Sequence, residues 1–261
     1  VKTDVIYDVD NARRSGGTQD LTRWANVPLD GGADSNEQNF RIHAKQSRIN
    51  LATYTPSEYG TVKTYIEGDF FNGEGTETFS NSSGFRLRHA YGQIGGFLAG
   101  QTWTNFADMA AYPETIDFGA TVGRTFIRQA QLRYTHDFSD TLDLALALEN
   151  PAADVTENVV DSQQELDDLP DFTARLTKSG DFGHLSLRGV ARQIQVRDVS
   201  SGDEEEEFGY GVGLSGKLKV GAKDDLRFDV KYGDGIGRYI FDVGINGKAA
   251  AFDDTPGVLE T

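Results

Sequence analysis

Apolar and polar residues alternate along much of this chain, which is the pattern of β-strands whose two faces meet different surroundings. Residues 61–71 place Val62, Ile66 and Phe70 on one face, and Lys63, Tyr65, Glu67 and Asp69 on the other. Residues 85–94 place Phe85, Leu87 and Tyr91 opposite Arg86 and Arg88. An apolar face backed by a face with charges of both signs is typical of a barrel wall that has lipid outside and water inside.

The alternation is cleanest in residues 141–149, where one face carries Leu142, Leu144, Leu146 and Leu148. A helix would scatter these leucines around its circumference, so the period is two. Similar patterns predict further strands at residues 2–8, 40–54, 97–104, 124–137, 171–178, 184–196, 208–220 and 226–232. Residues 106–111 could form a helical turn that Pro113 ends.

The connections between these strands sort by length. Short turns at residues 56–60, 95–96, 139–140, 179–183 and 221–225 alternate with long loops at residues 10–39, 72–84, 105–123, 150–170, 198–207 and from 233 onward. This alternation predicts an all-β fold, a transmembrane antiparallel up-and-down β-barrel with about eleven strands in this chain. A closed single-chain barrel has an even number of strands, so we expect residues 1–261 to be one barrel domain that is incomplete at both ends.

Composition excludes several classes of protein. The net charge of −16 argues against nucleic acid as a partner, because phosphate binding needs a basic surface. Cysteine is absent, which removes thiolate metal ligands and a catalytic thiol, and the four histidines show no metal-ligand spacing. We therefore expect no metal site and no cofactor. No apolar run is long enough for a membrane-spanning helix, a test that does not apply to strands.

Four stretches carry a resemblance to a known family: SRINLATYTPSEYGTVKTYIEGDFF, FRLRHAYGQIGGFLAGQTWTNFAD, PETIDF and RQAQLRYTHDF. Together they resemble the DcaP-like porins of Gram-negative outer membranes. The resemblance implies a sixteen-stranded homotrimeric channel in the lipid of the outer membrane that takes up dicarboxylates and similar small anions. It also implies that the strands following Tyr232 in the family are missing here, so that the chain is a fragment.

Candidate site residues are charged side chains on the polar faces of the strands. Arg48, Arg86 and Arg88 would lie on neighbouring strands, and Arg175 and Arg188 could extend them into an arginine ladder. Arginine stays charged and binds carboxylates at two points, so the ladder would favour anions. The loop 105–123 would fold into the pore and place Asp108, Glu114 and Asp117 opposite the ladder. The alternative is that these charges only solvate a wide interior without an ordered constriction.

Other polar residues near the ladder have more than one interpretation. Glu67 and Asp69 share its face and would orient the arginines through ion pairs. Arg128 and Arg133 have opposite parity, so both cannot face the lumen without a bulge, and the family-like RQAQLRY run favours Arg128. Trp103 would either anchor the inward loop or lie at the membrane interface. His89 follows Arg88 and would face outward. The acidic runs at 161–168 and 203–207 would be solvated loops, which divalent cations could bridge to lipopolysaccharide.

The sequence therefore predicts an outer-membrane porin, a passive diffusion channel for small hydrophilic solutes that favours anions such as dicarboxylates. No Gly-x-Ser-x-Gly elbow or other catalytic spacing is present, so we do not expect an enzyme. Two alternatives remain open: an outer-membrane barrel with an enzymatic or ligand-binding role, and a soluble all-β binding protein.

Overall fold

The computed structural model describes residues 1–9, 38–72, 80–117, 119, 121–156, 163–199, 201–241, 250–252 and 259–260. Its regular elements are β-strands, together with short 3₁₀ turns at Met109–Ala111 and Gly237–Tyr239. Within the described ranges, no helix is long and apolar enough to cross a membrane. The all-β fold class expected from the alternating pattern is confirmed.

The strands, in chain order, are β1 (Asp4–Asp8), β2 (Asn39–His43), β3 (Arg48–Ser57), β4 (Gly60–Asn72), β5 (Gly84–Ile94), β6 (Phe97–Trp103), β7 (Arg128–Ser139), β8 (Leu142–Glu149), β9 (Val155–Thr156), β10 (Gln163–Leu166), β11 (Asp171–Gly180), β12 (Gly183–Asp198), β13 (Glu204–Val220), β14 (Asp224–Asp234), β15 (Ala250–Phe252) and β16 (Leu259–Glu260).

One compact unit comprises Val1–Gly92 and Glu114–Val122. In it β1 pairs with β2, and β3 and β5 flank β4, with β3 antiparallel to β4. A two-residue turn joins β3 to β4, and Gly60 follows that turn with φ +112°, a value that favours glycine. The register pairs Arg48 with Asp69 and Leu51 with Ile66, so like faces match across the two strands.

The second unit comprises Gln93–Pro113 and Gly123–Thr261. Its strands follow the order β6, β7, β8, β11, β12, β13, β14, and each pairs antiparallel with its neighbour. β10 adds to the far end of β12, while β9 pairs in parallel with β15, which also pairs with β16. The connections from β6 to β7 and from β8 to β11 are long, and those from β7 to β8, from β11 to β12 and from β13 to β14 are short, as the up-and-down pattern predicts. The connection from β12 to β13, residues 199–203, is shorter than the loop expected at 198–207.

The two faces of this second sheet are chemically distinct. One face, called the apolar face here, carries large side chains that are open to the surroundings, among them Leu132 at 63% and Val230 at 66% relative exposure. The opposite face, called the covered face, buries polar side chains, namely Gln129, Gln131, Glu149, Thr173, Ser186, Arg188, Arg192 and Ser215. An apolar face that water would not solvate favourably needs an apolar environment.

Several boundaries differ from the sequence predictions. The strand expected over 40–54 is interrupted at residues 44–47, where Ser47 N donates to Ala44 O and Phe70 N donates to Lys45 O. The acidic run at 203–207 was expected in a loop, but its residues 204–207 belong to β13, because they pair antiparallel with residues 194–197 of β12. Arg197 also forms an ion pair with Glu204. β7 begins at Arg128 and not at 124. Much of the loop expected at 10–39 lies outside the described residues.

The alternation of β5 breaks between Arg88 and His89, which are adjacent in sequence and both buried. His89 and Tyr91 have ring centroids 6.1 and 5.6 Å from that of Tyr65, which shares a face of β4 with Glu67. His89 therefore joins the polar face of this unit. The prediction that His89 faces outward is wrong, because it assumed that the side chains of the whole strand alternate without a break.

Candidate functional site

The predicted arginines of β5 form a compact ion-pair cluster with the carboxylates of β4. Asp69 is fully buried, and its two oxygens accept hydrogen bonds from Arg86 Nε at 2.9 Å and Nη2 at 2.8 Å. Arg88 donates to Asp69 Oδ2 at 3.0 Å and to Glu67 Oε1 at 2.7 Å. Tyr65 donates to the other oxygen of Glu67 at 2.8 Å. These contacts fix the guanidinium groups by two-point, charge-assisted bonds.

The cluster has an excess of positive charge. Arg48 Nη1 lies 3.9 Å from Glu67 Oε1, so three guanidinium groups face two carboxylates. The side chains of Arg48 and Arg86 are 40% and 29% exposed, whereas that of Arg88 is 4% exposed. Arg48 and Arg86 therefore present charge to solvent, while Arg88 holds the carboxylates in place.

In the second unit, residues 104–113 leave the end of β6 and lie across the covered face. We call them the first covering segment. Phe106 is fully buried, and Ala107, Ala111 and Tyr112 are also buried. Asn105 N donates to Glu149 Oε1 at 2.7 Å, which fixes the start of the segment. A 3₁₀ turn follows at Met109–Ala111, with Asp108 Oδ1 accepting from Ala110 N at 3.2 Å.

Two of the predicted ladder arginines bind the backbone of this segment. Arg188 Nη1 donates to Phe106 O at 2.6 Å, and Arg175 Nη1 donates to Ala107 O at 3.0 Å. Arg188 also pairs with Asp229 of β14. A Cβ at Gly213 would lie 3.0 Å from Arg188 Nη2, so a larger residue at this position would crowd the guanidinium group. Arg175 and Arg188 thus hold the covering segment to the strands.

Asp108 anchors the segment through its side chain. Its Oδ2 accepts from Ser215 Oγ at 2.6 Å and lies 2.8 Å from His184 Nε2. Burial opposes ionisation of Asp108, but the hydrogen bonds from Ser215 and His184 outweigh it, so the pKa of Asp108 lies below its ordinary value. Because His184 and Ser215 both meet the same carboxylate oxygen, the group differs from a catalytic triad, in which histidine lies between serine and acid.

The far end of the segment is fixed by Tyr112. Its hydroxyl donates to Asp229 Oδ2 at 2.8 Å and accepts from Thr125 N at 2.9 Å. Arg227 Nη1 donates to Tyr112 O at 2.6 Å. Burial and the neighbouring Asp229 raise the pKa of Tyr112 above its ordinary value. The phenol therefore stays protonated and keeps its hydrogen bond to Asp229.

A cavity of about 440 Å³ lies beside the first covering segment. Its charged and titratable lining residues are Asp108, Arg133, Asp143, Arg175 and His184. Both cations and anions face this space, so a small charged solute would meet fixed charges of either sign.

The two arginines of β7 lie on opposite faces. Arg133 shares its parity with the buried Gln131 and lines the cavity, whereas Arg128 shares its parity with the exposed Leu132. Arg128 stacks on Trp103, with Cζ 4.5 Å from the ring centroid. The sequence favoured Arg128 as the lumen-facing residue, which stays a prediction, and the cavity is lined by Arg133.

The remaining predicted acids follow the covering segment in the sequence. Glu114 and Asp117 belong to the first compact unit. Glu114 is exposed, and Asp117 Oδ1 accepts from Gly119 N at 2.9 Å in a local turn. Sequence reasoning did not single out His184, Ser215 or Glu149 as partners of the segment. The sequence does carry one sign of their role: each is a polar residue next to a leucine, namely Leu185, Leu214 or Leu148, and so lies on the polar face of its strand.

Comparison with known proteins places this arrangement in a family. The sequence model of the DcaP outer membrane protein family matches residues 1–257. Among solved structures, the chain is similar to the outer membrane channel DcaP of Acinetobacter baumannii, with a TM-score of 0.72 and 26% sequence identity. The similarity covers 92% of this chain and 66% of that one, so this chain spans just under two thirds of the relative's length. No curated protein matches. With a family match across nearly its whole length, this chain belongs to the DcaP outer membrane proteins and is a protein of the outer membrane.

Proposed function

We propose that this chain supplies part of the wall of an outer-membrane porin, a passive diffusion channel for small hydrophilic solutes. The observation that carries the proposal is the division of the strands into an apolar face and a polar face that is crossed by an anchored segment. The apolar face would contact lipid and the polar face would line water. The similarity to a channel, which is not an enzyme class, supports the same function.

The finer proposal is a preference for anions such as dicarboxylates. Arg48 and Arg86 carry it, because their charges reach solvent and the cluster holds three guanidinium groups against two carboxylates. Arg133, which lines the cavity, joins Arg128 as a pore-lining candidate. Arg175, Arg188 and Asp108 would shape the constriction by positioning the first covering segment. Glu114 and Asp117 stay in the proposal as pore-lining acids, and assembly as a homotrimer in contact with lipopolysaccharide completes it.

The size of the expected effect follows from charge counting. Replacing Arg48 and Arg86 by alanine changes the cluster from one net positive charge to one net negative charge. Two unit charges about 6 Å apart in water interact by about 0.7 kcal/mol. Salt at about 0.1 M reduces this by roughly half. For a dianion, the two-charge change therefore amounts to about 1.5 kcal/mol, or roughly a tenfold change in rate.

The test is a swelling assay on liposomes that contain the full-length protein, with succinate or a neutral sugar as the permeating solute. We expect the Arg48→Ala, Arg86→Ala double variant to lose about tenfold in succinate rate, while sugar permeation stays at the wild-type rate. Arg197→Ala is the matched control, because Arg197 is an exposed arginine whose ion-pair partner is Glu204, which is not a member of the cluster. Equal succinate rates in the double variant and the wild type would refute the anion preference, and an impermeable wild type would refute the channel.

A further inference from the structure

Residues 235–241 form a second covering segment, which the irregular sequence after residue 233 did not reveal. Tyr239 is fully buried, and its hydroxyl donates to Asp171 Oδ2 at 2.6 Å. Gln129 Nε2 donates to the same hydroxyl at 3.2 Å. Phe241 N donates to Arg124 O at 2.8 Å, so the backbone of the segment is also bound to residues ahead of β7.

The two covering segments contact each other. The rings of Phe106 and Tyr239 meet edge to face with centroids 5.7 Å apart, a favourable geometry for an aromatic pair. Ile236 and Val190 complete a buried apolar cluster with these two rings. Phe106 is therefore held between the covered face and the second segment.

The strand beneath the second segment is shaped to receive it. A Cβ at Gly211 would lie 3.0 Å from Ile236 Cγ2, and a Cβ at Gly209 would lie 3.3 Å from Gly235 O. Arg192 Nη1 donates to Gly235 O at 3.1 Å, and Arg192 Nε lies 3.4 Å from Asp171 Oδ1. Side chains at Gly209 and Gly211 would push the second segment away from β13. The segment therefore binds where β13 has no side chains and where the buried Arg192 donates to it.

From these contacts we propose that Tyr239 is a positioning residue that sets the width of the channel. It acts through Phe106: the Asp171–Tyr239–Phe106 contacts hold the first covering segment at Phe106, and their loss loosens it there while the anchors at Arg175 and Arg188 remain. This inference rests on the proposed channel function, since width has meaning only if solute passes along the covered face. It goes beyond that proposal because it assigns the constriction to two segments.

Single-channel recordings of the full-length protein in planar bilayers test the inference. Tyr239→Ala should raise the unitary conductance above wild type and admit larger neutral solutes, because both the hydroxyl bond and the ring contact are lost. Tyr239→Phe keeps the ring against Phe106 and should restore most of the wild-type value. The matched control is Tyr232→Ala, which removes an exposed tyrosine from the apolar face of β14 and should leave conductance unchanged.

A second measurement covers the case in which Tyr239→Ala does not fold. The chain has no cysteine, so Arg238→Cys introduces a single thiol into the second segment. A cationic thiol reagent added to the bath should change the conductance of this variant and leave wild type unaffected. Unchanged conductance after confirmed labelling, or wild-type conductance and solute cut-off in folded Tyr239→Ala, overturns the inference. A wild type that does not conduct would instead refute the proposed function.

Discussion

The attachment of the first covering segment depends on Asp108, and Asp108→Ala is the sharpest way to weaken it. The substitution removes acceptors for Ser215 Oγ at 2.6 Å, His184 Nε2 at 2.8 Å and Ala110 N at 3.2 Å. It leaves the buried Ser215 hydroxyl without this partner. The backbone anchors from Arg175 and Arg188 remain. We therefore expect partial release of the segment and an otherwise intact sheet.

The magnitude can be worked from the lost bonds. A hydrogen bond to a charged group contributes about 1.5–3 kcal/mol, so the two side-chain partners give roughly 3–6 kcal/mol in sum. Burial of the carboxylate opposes this gain, as its effect on the pKa of Asp108 indicates. With about half of the sum offset, attachment should weaken by about 1.5–3 kcal/mol, which shifts the attached-to-released ratio by roughly 13- to 160-fold.

The assay is the distribution of single-channel currents in planar bilayers. Asp108→Ala should show frequent transitions to a higher conductance level that wild type visits rarely. The control is Asp140→Ala, a change at the exposed β7–β8 turn that should leave the distribution as in wild type. Folding of each variant is checked by heat-modifiable mobility in electrophoresis. A folded Asp108→Ala protein with the wild-type distribution would refute the anchoring role of Asp108.

Two further predictions concern pH and the apolar face. The pKa of Asp108 in the folded protein is depressed. Its contribution to the attachment of the first covering segment is therefore fully present above the ordinary pKa of 3.8, and it is lost as pH falls through the folded-state pKa. Current distributions should therefore be alike at pH 7 and pH 5, and extra transitions that begin between them would contradict this. Leu187→Lys, on the apolar face, should cost about 2–4 kcal/mol in urea unfolding, against about 0–1 kcal/mol for Phe182→Lys in the β11–β12 turn. Equal costs would show that Leu187 does not face the hydrocarbon region.

Local periodicity was sufficient to predict the faces of most strands. Leu146 and Leu148 are exposed while Ala145, Ala147 and Glu149 are buried, as a period of two requires. Periodicity cannot register a break within a strand. The shift after Arg88 and the turn at residues 44–47 therefore appeared only in the structure, where contacts with β4 define them.

The candidate site was predictable in part, because charge and parity identify a face and do not identify what covers it. Glu67 and Asp69 pair with Arg86 and Arg88 as expected, since those pairs lie on adjacent strands. Arg188 was expected in an open ladder, yet it is buried against Phe106 O, more than eighty positions away in sequence. Such long-range contacts leave no local signal beyond the glycine at 213 that admits the guanidinium.

The central claim is that the polar faces of these strands line an anion-favouring channel. The most direct measurement is the zero-current potential of the full-length protein in a planar bilayer under a salt gradient, with chloride and then with succinate as the anion. The account predicts discrete conductance steps and a potential with the sign of anion selectivity for both salts. Steps with the sign of cation selectivity would contradict the role of Arg48 and Arg86, and an absence of steps would contradict the channel itself.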